Sequence, residues 1–338
     1  GEAVSVKDIV GADYYEKLRT TLQRTFPDPG VQVPDDAIDK TLILVAHHDT
    51  KNEFPELAPL KAQFPAPDVT PETASAAADD SEFRFYTGHA THSRTGLSKP
   101  YSAFIGHLPM VRVCLPQTGL RSDVPPIQTP MGVLMPTDRL LASVQVVKEV
   151  AQRARIVPPE RVELITPPRY EGNRFGAIAV YLLYPQVQAV TPSHYILEAG
   201  LATGQPRMRY KPTPVGQWLS QQSGYQPTAF SQPWHTYRGL FTMKNAFPNE
   251  PEALIVEAYE RHPQSPYIRV TVEYGRDAAP TKLNPFFLTI QAAARISSIA
   301  DALHMQVDLP MRPLLRFIGN FLHWVHPPED GSGWQPPT

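Results

Sequence analysis

The stretch "TLILVAHHDTKNEF", residues 41–54, is the first place where residue types and spacing could do chemistry. An apolar run ends in His47, His48 and Asp49. Read as a buried strand, it puts His47 and Asp49 on one face and His48 on the other. A His-x-Asp pair supplies two ligands of the kind zinc takes. Forty residues on, "GHATHS" offers His89 and His92, which share a face if that segment is helical. His47, Asp49, His89 and His92 thus form a candidate ligand set for a metal-dependent hydrolase. The competing expectation is structural. Eleven histidines in 338 residues generate such near-clusters by chance. This second reading is adopted, and neither metal nor cofactor is expected.

The phrase "ILVAHHDT" resembles the His-x-Asp strand of zinc aminopeptidases. That family also uses an acidic base pair and further ligands in Gly/Asp-rich loops. Those residues are not found, so no role is carried over. There is no G-x-S-x-G elbow, no P-loop and no G-x-G-x-x-G. The single cysteine, Cys114 in "MVRVCLP", rules out an intramolecular disulfide and any C-x-x-C site. It is read as a buried thiol in a cytosol-like compartment. No catalytic residue is assigned, and the reading leans away from an enzyme.

Two other sets of residues are candidates for contact rather than catalysis. "PRMRYKP" places Arg207, Arg209 and Lys211 at alternating positions, on one side of an extended segment. With Arg153 and Arg155 they form a basic surface for nucleic acid or a neighbouring subunit. Trp218, Trp234 and Tyr237 stand in a polar, turn-rich stretch, where aromatic side chains anchor a loop to a core or a partner. Charge is unevenly spread. Residues 1–82 hold 16 acids against 7 bases, and residues 139–211 hold 10 bases against 5 acids. Such asymmetry implies complementary surfaces.

The elements that must position these residues are punctuated by proline. The chain has 38, roughly twice ordinary usage, which disfavours long helices and wide regular sheets. Helical periodicity predicts helices over 11–26, 139–157, 251–262, 284–306 and 311–328. Strands are expected at 41–49 (with a short helix start over "PDDAIDKTLILVAHHD" as the alternative), around Cys114, in "RVELITPP" and "GAIAVYLLYPQVQAV" (or these two are buried segments of ambiguous type) and at 267–275. The expected fold class is α+β, helix-dominated, with many short elements and long Pro-rich ordered connections; a mainly α fold is the alternative. Four regions follow: an N-terminal helix/strand region 1–53, a Pro-rich acidic connection or arm 54–82, a main shell-type domain 83–328 and a tail 329–338.

Charged residues make up only 19% of the chain, and its net charge is −2. No apolar run reaches the 18 residues of a membrane helix, and no membrane partner is expected. The chain starts at Gly1 and shows no signal-peptide pattern. An ordered, Pro-rich, low-charge chain without a catalytic signature implies a structural, self-assembling subunit. The concrete form is a virus capsid protein in a virion or host cytoplasm, whose partners are copies of itself and packaged nucleic acid. A near-neutral chain suits a shell around double-stranded RNA better than tight wrapping of a single strand, which needs many phosphate contacts. The rivals are the metal-dependent hydrolase and an accessory subunit of a large cellular complex.

Overall fold

The computed structural model describes residues 4–23, 32–69, 72–73, 83–94, 101–169, 178–200, 207–222, 236–259, 268–277, 281–282, 284–290, 293, 311, 313–315 and 317–318. The chain divides into two compact units. One comprises Gly1–Glu72 and Leu283–Thr338, and the other Thr73–Lys282.

The first unit is helical. It contains α1 (Val6–Val10), α2 (Ala12–Gln23), α3 (Asp35–His48) and α4 (Ala58–Gln63), with further helical residues at 285–290, 313–315 and 317–318. Ser5 and Asp8 form a reciprocal capping box on α1. Tyr15 holds α2 to α3 through a 2.7 Å hydrogen bond from its hydroxyl to Asp39. Leu18, Leu22, Ile38, Leu42, Leu57 and Leu60 are buried here. Phe54 and Phe317 meet edge to face at 5.4 Å. One expectation is corrected. Residues 41–48 belong to α3, not to a strand; Thr41–Ala46 are all buried, and an all-round apolar run carries no periodicity that separates helix from strand. Within the Pro-rich connection, Pro55–Leu57 and Ala58–Gln63 are helical.

The second unit overturns the helix-dominated expectation. It is an antiparallel β-sheet of eleven strands that curls into a nearly closed barrel. After β1 (Glu72–Thr73) come β2 (Phe83–Arg94) and β3 (Tyr101–Cys114). A small hairpin, β4 (Ile127–Thr129) and β5 (Gly132–Leu134), and α5 (Val144–Arg153) precede β6 (Arg161–Thr166). Then follow β7 (Ile178–Tyr184), β8 (His194–Gly200), β9 (Arg207–Arg209), β10 (Thr213–Pro214), β11 (Trp218–Gln222), β12 (Thr236–Met243), β13 (Pro251–Tyr259) and β14 (Ile268–Asp277). A last short strand, β15 (Thr281–Lys282), pairs with β1.

The order is a meander, with each barrel strand beside its neighbour in sequence and β14 closing onto β2. The remaining seam lies between β8 and β12. One segment spans it: β10 pairs with β8, and β11 pairs with β12. Across it the Tyr195 hydroxyl donates to the Gly239 carbonyl at 3.0 Å, and the Gly216 amide donates to the Phe241 carbonyl at 2.9 Å. Alternate side chains of each strand point inward. Tyr86, Met110, Val180, Leu182, Tyr195, Phe241, Leu254 and Tyr274 fill one shared core.

Residues 251–259 show why helix was the wrong expectation. "PEALIVEAY" is rich in helix formers, but it is β13, paired on both sides by β12 and β14. Leu254 enters the barrel core, and tertiary pairing overrides propensity. The helix expected over 139–157 is confined to Val144–Arg153, capped by the Ser143 hydroxyl.

Phe241 is fully buried at the seam, with its ring 5.7 Å from that of Tyr195. Phe241→Ala should therefore cost about 3–5 kcal/mol. Urea unfolding followed by circular dichroism measures this; a loss near zero would show that the seam is not packed.

Candidate functional site

Charged residues inside apolar strands are the most unusual feature of the barrel. Arg112 on β3 and Glu163 on β6 are both buried, at the end where β3 and β7 finish and β6 begins. Arg112 Nε donates to Glu163 Oε2 at 2.6 Å, and the ion pair has a second contact through a terminal guanidinium nitrogen. The same guanidinium donates to the Tyr184 hydroxyl at 2.6 Å. It also reaches the loop between β12 and β13, donating to the Asn249 carbonyl at 2.5 Å and to Asn249 Oδ1 at 2.8 Å.

Glu163 has a second cation. Arg161 Nε lies 3.3 Å from Glu163 Oε1, and the Arg161 guanidinium stacks 3.9 Å from the centroid of the Tyr184 ring. Arg161 in turn donates to the backbone carbonyls of Val187 and Ala189, in the loop between β7 and β8. Beside this cluster, the Tyr86 hydroxyl donates to Glu250 Oε2 at 2.8 Å, and Arg276 donates to Glu250 Oε1 at 2.9 Å.

The electrostatics define what this arrangement can do. Burial drives the Tyr184 phenol well above its ordinary range, and Glu163 adds to the rise against the opposing charge of Arg112. Tyr86 is pushed up to about 12, chiefly by burial, with Glu250 adding. Burial weakens the charged form of Arg112, but Tyr184, Glu163 and Tyr86 more than offset it, and its pKa rises. The phenols therefore stay protonated and the guanidinium stays charged at any ordinary pH. General acid–base catalysis calls for groups poised near the working pH. Arg112, Tyr86 and Tyr184 instead act as fixed hydrogen-bonding groups that hold loops.

The residues singled out from the sequence are dispersed. His47 and Asp49 stand at the C-terminal end of α3. His47 Nε2 lies 2.8 Å from the Phe64 carbonyl, and the Asp49 carboxylate accepts from the amides of Glu53 and Phe54 at 2.9 and 2.8 Å. Asp49 therefore serves the turn after the helix, and His47 ties α3 to the C-terminal end of α4. His89 and His92 lie on strand β2 rather than a helix; His89 is exposed, and His92 sits opposite Phe104 and Val270. Among the described residues no three His, Cys, Asp or Glu side chains gather as metal ligands.

The basic set is partly brought together. Arg153 ends α5 with Glu149 at 3.6 Å, and Arg209 on β9 pairs in register with Glu198. Burial first, then the charge of Arg153, lowers the Arg209 pKa, so the two cations lie within electrostatic reach. Arg155 follows with a left-handed φ of 58°. Arg207 pairs with Gly200, and Lys211 is exposed beyond β9. Of the aromatic residues, Trp218 begins β11 with Arg238 4.5 Å from its ring centroid. Tyr237 lies on β12 between Gln221 and Ala258, and Trp234 is outside the described residues.

Sequence reasoning passed over Arg112, Arg161 and Glu163. The signal was present in "MVRVC" and "RVELIT", where charged residues interrupt buried apolar strands. A buried charge requires a partner, and these two strands are neighbours. No family model matches the chain, and neither a curated protein nor a solved structure is significantly similar to it.

Removing one partner of a buried pair leaves the other uncompensated, a cost of about 3–5 kcal/mol. Arg112→Met should show that loss in urea unfolding, and adding Glu163→Leu should regain part of it, less the cost of leaving Arg161 without its carboxylate. A double variant no better than the single would refute the pairing account. Cys114 gives a second test. The residue is exposed rather than buried, but its sulfur lies 4.0 Å from Glu163 Oε1. Partial burial, then Glu163, raises the thiol pKa. Thiolate is therefore scarce at neutral pH, and iodoacetamide should alkylate Cys114 more slowly than a free cysteine, the rate climbing at a pH above the usual thiol range. Alkylation as fast as free cysteine would contradict this.

Proposed function

We propose that the protein is a self-assembling structural subunit, most concretely the coat subunit of a virus shell. The observation that carries this reading is the segregation of charge between the two folded units. The helical unit holds 17 acidic against 10 basic side chains, net −7, and the barrel unit 21 basic against 16 acidic, net +5. One chain thus carries two surfaces of opposite sign, and copies can meet head to tail. The reading also draws support from the roles of the perturbed groups, since Arg112, Tyr86 and Tyr184 hold loops rather than move protons. Enclosed nucleic acid, with double-stranded RNA the preferred guest, belongs to the same proposal; Arg153 and Arg209 are the residues offered to it.

Sedimentation velocity and negative-stain electron microscopy at micromolar concentration test this reading. Closed particles far larger than a small oligomer are expected, and a stable monomer would refute it. Contacts between oppositely charged surfaces act mainly on encounter rate and register, so assembly should slow as salt rises. Assembly that requires added RNA, and that is abolished by charge reversal at Arg209, would assign the basic surface to the genome instead of to a neighbouring subunit.

A further inference from the structure

Exposed apolar side chains are ordinarily scattered over a protein surface. In the barrel unit several of them share one end. Among its described residues, the large hydrophobics that remain exposed are Leu120, Val157, Val187, Val190, Trp218 and Phe247. Topology puts four of them, Val187, Val190, Trp218 and Phe247, at one end of the barrel. Val187 and Val190 lie between β7 and β8, and Phe247 lies between β12 and β13. Trp218 begins β11, while Leu120 and Val157 belong to the connection that leaves β3 and returns into β6. Phe247 is 66% exposed and Val190 63%.

Two of these loops are held by the cluster around Glu163. Arg112 grips the Phe247 loop through two hydrogen bonds to Asn249. That loop also closes on itself, the Lys244 amide donating to the Glu250 carbonyl at 2.9 Å. Arg161 grips the Val187–Val190 loop through the carbonyls of Val187 and Ala189. Glu163 lies between the two arginines. The apolar tips are therefore presented on braced loops. Bracing removes much of the ordering cost that a flexible loop incurs on binding, and exposed aromatic side chains such as Phe247 and Trp218 are of the type that forms binding hot spots.

We infer that this end of the barrel is a contact face between two copies of the chain. The inference names one contact for the self-assembly proposed above and rests on that reading. Charge selects the occupant. Around the same end, Arg84, Lys244 and Arg276 are interspersed with Glu160, Glu252 and Asp277. A face of balanced charge can meet its own copy about a two-fold axis without like-charge repulsion. Nucleic acid would call for a basic excess, as would an anionic membrane surface.

The test uses the full chain with Phe247→Asp and, separately, Val190→Asp. Both residues are exposed at loop tips, and unchanged circular dichroism and melting temperature establish that each variant is folded. Sedimentation velocity should show self-association weakened by about tenfold or more in each. If the wild type assembles and both folded variants assemble equally well, this contact face is overturned while the assembly reading stands. If the wild type is a monomer, both fall. Co-sedimentation with neutral phosphatidylcholine vesicles, lost in Phe247→Asp, would make a membrane the occupant and also overturn the inference.

Discussion

A single carboxylate between two arginines governs one end of the barrel. Glu163 faces Arg112 on one oxygen and Arg161 on the other. Burying one ion is costly, and two like charges side by side in an apolar setting would repel strongly. Glu163 offsets both costs, so each guanidinium has donors left over. Those donors go to backbone carbonyls in two different loops. The ion cluster is thus a bracket rather than a store of stability. Hydrophobic packing of the barrel core supplies the folding free energy, and the cluster determines where the loops stand.

The same pattern recurs outside the barrel wall. The strands β6, β7 and β8 are buried on their outer face as well as their inner one, as Tyr181, Leu183 and Ile196 show. The chain between β5 and α5 is tied to this wall by polar links. Asp138 takes both Nε and a terminal nitrogen of Arg169 at 2.7 Å. Glu198, fully buried, accepts from the Leu140 amide at 2.9 Å and from the Tyr181 hydroxyl at 2.7 Å. A Pro-rich chain can form few long regular elements, so its connections must find partners for their backbone groups elsewhere. Here buried side-chain carboxylates and guanidiniums supply them.

This explains how much of the fold could be read in advance. Strands with clear alternation or β-branched content, such as 267–275 and "RVELIT", are recognisable from local pattern, and β14 and β6 occupy those places. Helix α3 and strand β13 were exchanged in type, α3 because an apolar run buried all round carries no telling periodicity, β13 because pairing on both edges overrides its helical composition. "TLILVA" lacks alternation though it forms a helix, and "PEALIVEAY" has helical composition though it is paired on both sides. The closure of the barrel has no local signal at all. It depends on β14 returning to β2 and on ten residues, 213–222, serving both edges of the seam. The histidines attracted attention because their types are chemically versatile, but residue type without shared placement makes no site. Arg112, Arg161 and Glu163 had the more informative context, since charge inside a buried strand demands a partner nearby.

The two levels of electrostatics then play different parts. Between the units, net charges of opposite sign arise from side chains that are largely solvated and screened, so they bias encounters over distances of about 8–10 Å and contribute little to a finished contact. Within the barrel, a few charges, Arg112 and Glu163 above all, are desolvated and paired, and they resist screening. Under the assembly proposed above, a subunit that meets copies of itself in one register would benefit from both. Solvated charge excludes wrong faces at low cost, and buried charge holds the apolar loop tips in place so that the correct face needs little rearrangement. Flexible tips carrying the same hydrophobics would expose surface able to bind in many registers. In the proposed assembly, bracing them through Glu163 would limit that promiscuity, a physical reason for burying Arg112 and Glu163, with Arg161 half-buried beside them, where apolar side chains would have packed.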